Sequence, residues 1–235
     1  MKRSTITAAL LTAASTLPAA VQAQSLSVEI TNLTHGIHFT PLLVTAHVAD
    51  HHLFDIGSPA SASLQAMAEG GDISGLITDV AGIGATYIDN PAAGLLEPGA
   101  SVTTNLDTTG TANTQLSVVS MLLPTNDGFV GLNAITLPTE PGVYTYYLNA
   151  YDAGTEANDE IINGGGASGA PGIPAAPGGD GGTGATGAAG IDANPYVHIH
   201  RGALGDSDPT GGVSDLDSTI HRWLNPVARL VLTVN

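Results

Sequence analysis

The segment NAYDAGTEANDE, Asn149 to Glu160, sets four carboxylates within nine positions: Asp152, Glu156, Asp159 and Glu160. Hard oxygen donors at this density suit calcium, which takes about six to eight oxygen ligands from carboxylates, carbonyls and water. DAGTE offers the Asp152 carboxylate, an unhindered carbonyl at Ala153, a turn at Gly154, a hydroxyl at Thr155 and a second carboxylate at Glu156. The spacing is not that of an EF-hand loop. On spacing alone, a solvated acidic loop stays open as the alternative. Asp127, in TNDGFVG, closes a strand-like run. If the strands flanking the two loops lie side by side and antiparallel, Asp127 meets Asp152 and Glu156 at one end of a sheet.

Other chemistries find less support. His198 and His200 alternate in YVHIHRG, and an imidazole pair at that spacing can hold zinc or copper. It can equally cover or cross-link a sheet. No G-x-S-x-G elbow is present, and no Gly-Lys-Ser/Thr follows the glycine-rich stretch as a phosphate loop requires. The carboxylates are too clustered to define a hydrolytic pair across a cleft. The chain is expected not to be an enzyme, with a metal-dependent hydrolase as a minor alternative.

The elements that must position these residues are mostly strands. LSVEITNL (Leu26 to Leu33) alternates as a half-buried strand does, and PLLVTAHVA (Pro41 to Ala49) is a continuous apolar run suited to a core strand. GASVTTNLDT, TQLSVVSMLLP, GFVGLNAITLP, GVYTYYLNAYDA, YVHIHRG and ARLVLTV follow, separated by turn residues. SPASASLQAMAE (Ser58 to Glu69) predicts one short helix, with Ser58 as cap, Pro59 at the first helical position and Gly70-Gly71 as the stop. Short strands at this spacing predict an all-β, antiparallel sandwich. Trp223 is expected in its packing rather than at a binding surface, and Arg229 is expected to pair with an acid near the loop site.

Lys2 and Arg3, an apolar run to Ala20 and the Val21-Gln22-Ala23 sequence predict a secretory signal peptide spanning residues 1–23, cut after Ala23. The apolar run is shorter than the roughly 20 residues a membrane span needs. The expected product is an exported, extracellular, cell-surface or periplasmic domain of residues 24–235. Its removal takes the only lysine and lowers the formal charge by two from −16. Such a surface repels nucleic acid, because phosphate binding depends on Lys and Arg, and it attracts cations. With no cysteine, disulfides and thiol chemistry are excluded, so the fold rests on its core and on any bound cation. Asn32-Leu33-Thr34 fits a glycosylation sequon but is discounted for a bacterial-type leader.

An insertion at about 163–192 departs from the strand pattern. Glycine recurs at 166, 169, 172, 178, 181, 184, 187 and 190, broken only at Ala175. That period belongs to collagen-like assemblies. An extended polyproline run of this length would carry its ends roughly 84 Å apart at about 3.1 Å per residue, away from neighbouring strands. A flexible or glycine-packed surface loop is the expected form, with self-association through the segment as the alternative.

Five ordered motifs resemble the spondin N-terminal domain family, especially short bacterial secreted members. TPLLVTAH with His47 comes first, then LFDIGSPASASLQAMAEGGD (Leu53 to Asp72), PTNDGFVGLNAI and DAGTE-x-N-D-E, and last HIHRG with WLNPVARLVL. The resemblance implies a C2-like β-sandwich with one calcium site at a loop end. It implies Asp127, Asp152 and the Ala153 carbonyl as ligands, with Glu156 replacing an Asp and lengthening that arm by one methylene. It also implies a non-enzymatic binding or adhesion module for an extracellular protein or glycan. Asp159 and Glu160 are expected as a solvated lip leading into the insertion.

Overall fold

A computed structural model describes residues 24–179, 181–188 and 194–235. The signal-peptide reading of residues 1–23 and part of the insertion lie outside them. The order is β1 Ser25–Asn32, β2 His38–Phe39, β3 Leu43–His47, α1 Ala62–Gly70, α2 Ser74–Gly82, β4 Thr86–Asp89, β5 Ser101–Asp107, β6 Gln115–Leu123, β7 Gly128–Thr136, β8 Gly142–Asp152, β9 His198–Ile199 and β10 Ala228–Val234. Their main path runs β4-β3-β6-β7-β8-β10-β1-β5, antiparallel throughout, with β2 on β6 and β9 on β8. The all-β reading holds. The path folds over one core as a nearly closed, sandwich-like barrel.

β8 joins the two halves. Gly142–Leu148 pairs with β10, whereas Asn149–Asp152 pairs with β7. Side-chain patterns follow from what covers each half. β1 and β10 alternate buried and half-exposed positions, because only their inner face meets the core of Leu26, Val28, Ile30, Leu230 and Leu232. β3 and β6 are almost continuously buried. One face of β3 and β6 meets that core, and the helices cover the other: Leu43, Val119, Met121 and Phe129 pack with Leu64, Met67, Leu76 and Val80. The continuous apolar runs in sequence record this double burial.

α1 starts three residues later than the sequence suggests. Ser61, not Ser58, is the cap: its hydroxyl accepts from the Leu64 N–H at 3.1 Å. The stop is as expected, with Gly71 left-handed at φ 72°. α2 corrects the expectation of a single helix. SGLITDVAG has glycines and β-branched residues of weak helical preference, and the burial of Leu76 and Val80 overrides that preference.

The described residues of the insertion are folded, and they are not polyproline. The seven described glycines of its period all take positive φ, between 71° and 113° at Gly181 and Gly172, where polyproline needs about −75°. Glycine is used here for left-handed turns that other residues avoid. The chain doubles back: Ile173 N–H donates to Ile161 O at 2.8 Å, and Ala188 N–H donates to Asp159 O at 2.7 Å. Ile162, Ile173 and Leu216 form a small core beneath it.

Candidate metal site

The β6–β7 turn delivers Asp127, and the end of β8 delivers Asp152. Their convergence follows from register, since Gly128 opposes Asp152 and the Ala153 N–H donates to Asp127 O at 3.2 Å. Asp127 is fully buried. Its Oδ2 accepts from the N–H groups of Thr155 at 2.8 Å and Glu156 at 3.0 Å, and from the Thr155 hydroxyl at 3.2 Å. Its Oδ1 is buried and has no hydrogen-bond partner among the described residues. Burial, and then the Asp152 charge, push the Asp127 carboxyl up to about 7, against the opposing pull of the loop amides.

Asp152 is better satisfied. Oδ1 accepts from Gly154 N–H at 2.8 Å and Oδ2 from the Asn158 amide at 2.6 Å, with His198 Nδ1 3.8 Å from Oδ1. Gly154 is required twice. Its φ is +71°, and a Cβ there would lie 2.7 Å from the Asn194 carbonyl oxygen and the Tyr196 nitrogen. Ala153 is buried at the turn between the two acids.

Glu156 follows Asp127 through its backbone, while its carboxylate turns toward the insertion. Oε2 accepts from Gly172 N–H at 2.9 Å and lies 3.5 Å from the Asn126 amide. Oε1 is buried without a partner among the described residues. Burial pushes the Glu156 carboxyl up to about 7, aided by the charges of Glu69 and Asp127 and opposed by Gly172 and Asn126. Asp127 and Asp152 are therefore together, Ala153 lies between them, and Glu156 sits at the edge. Among the described residues, no three His, Asp or Glu side chains gather as a ready-made metal cage. The donor set still fits a hard divalent cation, because two buried carboxylate oxygens lack a donor and there is no lysine among the described residues to supply one.

Sequence reasoning missed the clamp around these acids. Asn126 donates to Asp159 Oδ1 at 2.9 Å and accepts from Glu160 N–H at 3.2 Å. Glu160 is not a solvated lip. It is only 4% exposed, and its carboxylate accepts from Leu204 N–H at 2.6 Å, Gly205 N–H at 2.9 Å and the Ser214 hydroxyl at 2.5 Å. The one signal pointing there was global: acids in a nearly cation-free chain must find N–H donors.

The histidine pair does not share a site. His198 is partly exposed beside Asp152, whereas His200 is buried against Trp223 and accepts from Gly202 N–H at 3.0 Å. Burial takes His200 down to about 4, against the raising effect of Asp152. Trp223 packs in the core as expected. Arg229 corrects its expectation: Nη2 lies 3.6 Å from Glu29 on β1, because β10 pairs there, and it donates to Thr31. Asn32 is fully buried and donates to Ile37 O and Leu96 O, which closes the sequon to a glycan.

The structure is an antiparallel, sandwich-like β fold that brings Asp127 and Asp152 to one loop end. The Spondin_N family model matches residues 31–160, more than half of the chain, and the chain belongs to the spondin N-terminal domain family. These are extracellular-type, non-catalytic binding modules. The match takes in the motifs from TPLLVTAH to the acidic loop; the insertion and the C-terminal strands lie beyond it. No curated protein matches the chain. Among the described residues, no helix is long and apolar enough to cross a membrane.

Proposed function

We propose that this chain is an exported, non-enzymatic binding module that takes up one calcium ion at its acidic loop end. Asp127, Asp152, the Ala153 carbonyl and Glu156 are the ligands, and the extracellular partner is a protein or glycan, as in adhesion by the family's animal members. The observation carrying this reading is the pair of donorless buried oxygens, Asp127 Oδ1 and Glu156 Oε1, in adjacent loops. A buried carboxylate without compensation is costly, and a divalent cation offsets that cost by direct coordination. Calcium supplies charge and a fixed point for the loops; the chain's own residues do the rest. The Asp127 backbone and side chain hold the 153–156 turn, and Asn158 orients Asp152.

The test is a calcium titration of the chelator-treated protein, followed by melting temperature. Millimolar calcium should raise it, and Asp152→Asn should remove the rise. An unchanged melting temperature in the wild type would sink the calcium reading. A fibre or assembly through the Gly-rich segment is the second reading, and a polyproline triple helix is not the form it would take, because the seven described glycines of the period have positive φ.

A further inference from the structure

A second site lies outside the acidic loops, at the corner where β7 and β8 part. After Gly131 the two strands stop pairing. β7 stays on β6 through an irregularity opposite Ser117, with Ala134 at a φ of +50° and its N–H donating to the Ser117 hydroxyl at 2.8 Å. Such backbone strain in a non-glycine residue persists only where surrounding structure enforces it. The parted strands leave a cleft of about 400 Å³, within the roughly 300–1,000 Å³ common to small-ligand sites.

Its wall is built from alternate residues of β8. Tyr147, Asn149 and Tyr151 project outward, while Leu148 and Ala150 enter the core. Tyr147 is 63% exposed, far more than a packing tyrosine requires. Tyr151 is held rigid between Phe54, at 4.9 Å between ring centroids, and Phe129, at 5.6 Å. The Asn149 amide and both tyrosine hydroxyls have no hydrogen-bond partner among the described residues. His52 and Asp55 stand on the opposite rim, 3.8 Å apart.

The cleft is also preorganised. Asn133 fixes the 52–54 segment: it accepts from Leu53 N–H at 3.0 Å, donates to Phe54 O at 2.5 Å and meets His52 Nδ1 at 3.2 Å. Gly131 keeps the floor open, since a Cβ there would lie 2.7 Å from the Phe54 ring.

We infer that this cleft binds a neutral saccharide of one or two rings. Sugar rings present an apolar C–H face, which an exposed tyrosine can stack, and hydroxyl pairs, which amides and carboxylates bind. Residues two apart on one strand face are spaced by roughly 6.6–6.8 Å at about 3.3–3.4 Å per residue. A ring stacked on Tyr147 thus reaches the Asn149 amide along the strand, and Asp55 lines the same cleft. No Lys or Arg is among the lining residues; Arg229, opposite Tyr147 on β10, turns its Nη2 to Glu29 and Thr31, and the chain's charge is −16, so phosphorylated and sulfated ligands are disfavoured. The inference gives the binding-module reading a ligand class but does not depend on calcium.

The test is an amide chemical-shift titration of residues 24–235 with soluble maltotetraose, cellotetraose and N-acetylchitotetraose, run with calcium and again after chelation. At least one sugar should shift the amides of Tyr147, Asn149, Tyr151 and Asp55. Tyr147→Ala and Asn149→Ala should each weaken that response by about ten-fold, a change of roughly 1.4 kcal/mol, with the melting temperature unchanged. No cleft shift with any of the three sugars overturns the inference. So does a response that survives both substitutions, or a cleft that answers only to an extended peptide along the β8 edge. A positive result after chelation leaves this site standing even if the calcium site fails.

Discussion

The sheet and the coil that caps it satisfy the same requirement by different chemistry. In the sheet, backbone N–H groups meet backbone carbonyls, and apolar side chains such as Phe39, Leu116 and Phe129 supply the burial. In the coil around β9, among the described residues of 153–221, N–H groups of glycine-rich turns meet carboxylates instead. Glu69 takes Gly169, and Glu156 takes Gly172. Asp206 takes Asp208, Val213 and Ser214. Asp215 takes Ile162, Thr183 and Ala185. The chain's acidity, expected from the sequence to form a cation-attracting surface, is therefore in part internal structure. The sheet should be nearly indifferent to pH, whereas the coil and the candidate metal site should not be.

The largest effect should come from the sheet. Phe129→Ala removes a fully buried ring shared by β7 and the helical layer, and should cost about 3–5 kcal/mol by urea unfolding. All probes should move together, because both regions hang on this strand. Next is Asp215→Ala, which deletes the acceptor of three amides and of the Thr183 hydroxyl. Local opening of the coil should become easier by about 1–3 kcal/mol. Hydrogen exchange at Ile162, Thr183 and Ala185 should speed, while exchange in β1 and β10 stays slow. Equal acceleration in the sheet would erase the contrast between the regions.

pH sharpens the same contrast, with opposite signs in two places. Asp206 and Asp217 lie below the usual carboxylate range because of their N–H and hydroxyl donors. Burial would raise Asp215, yet its Ile162, Ala185 and Thr183 amides hold it low as well. Their stabilisation is present above the ordinary carboxylate range and is lost as pH falls through the lowered folded values. Asp127 and Glu156, pushed up to about 7, act the other way. Without a cation, the folded state prefers them protonated, so stability falls as pH rises from the ordinary carboxylate range to about 7. Melting temperatures of the chelated protein between those limits check this. The smallest effect should be Tyr147→Ala, which leaves stability within about 0.5 kcal/mol because the side chain is on the surface.

The sheet was legible in sequence because each strand writes its own burial. LSVEITNL alternates and becomes half-buried β1; TQLSVVSMLLP is continuous and becomes doubly buried β6. α2 was not legible, because SGLITDVAG is helical only through what it covers. Asp127 and Asp152 could be brought together on paper, since a hairpin register links them. Glu160 could not: its partners Leu204, Gly205 and Ser214 lie more than forty residues away, across glycine turns without a period-2 or period-3.6 signal. The three-residue glycine period could not by itself decide the conformation, and the expected flexible or glycine-packed loop rests on where the ends must return. Spacing says where glycine stands, while the sign of φ decides between an extended rod and a folded coil.

The central claim is that the Asp127 carboxylate and Glu156 Oε1 are buried at a cost that a cation relieves. Calorimetric calcium titration near pH 6, below the value of about 7 that both acids take without metal, tests it most directly when run in two buffers of different ionisation heat. Binding should release protons, because ligand carboxylates must ionise. The release should vanish well above pH 7 and should shrink in Asp127→Asn. Calcium binding without proton release near pH 6, or no binding at all, would contradict the account.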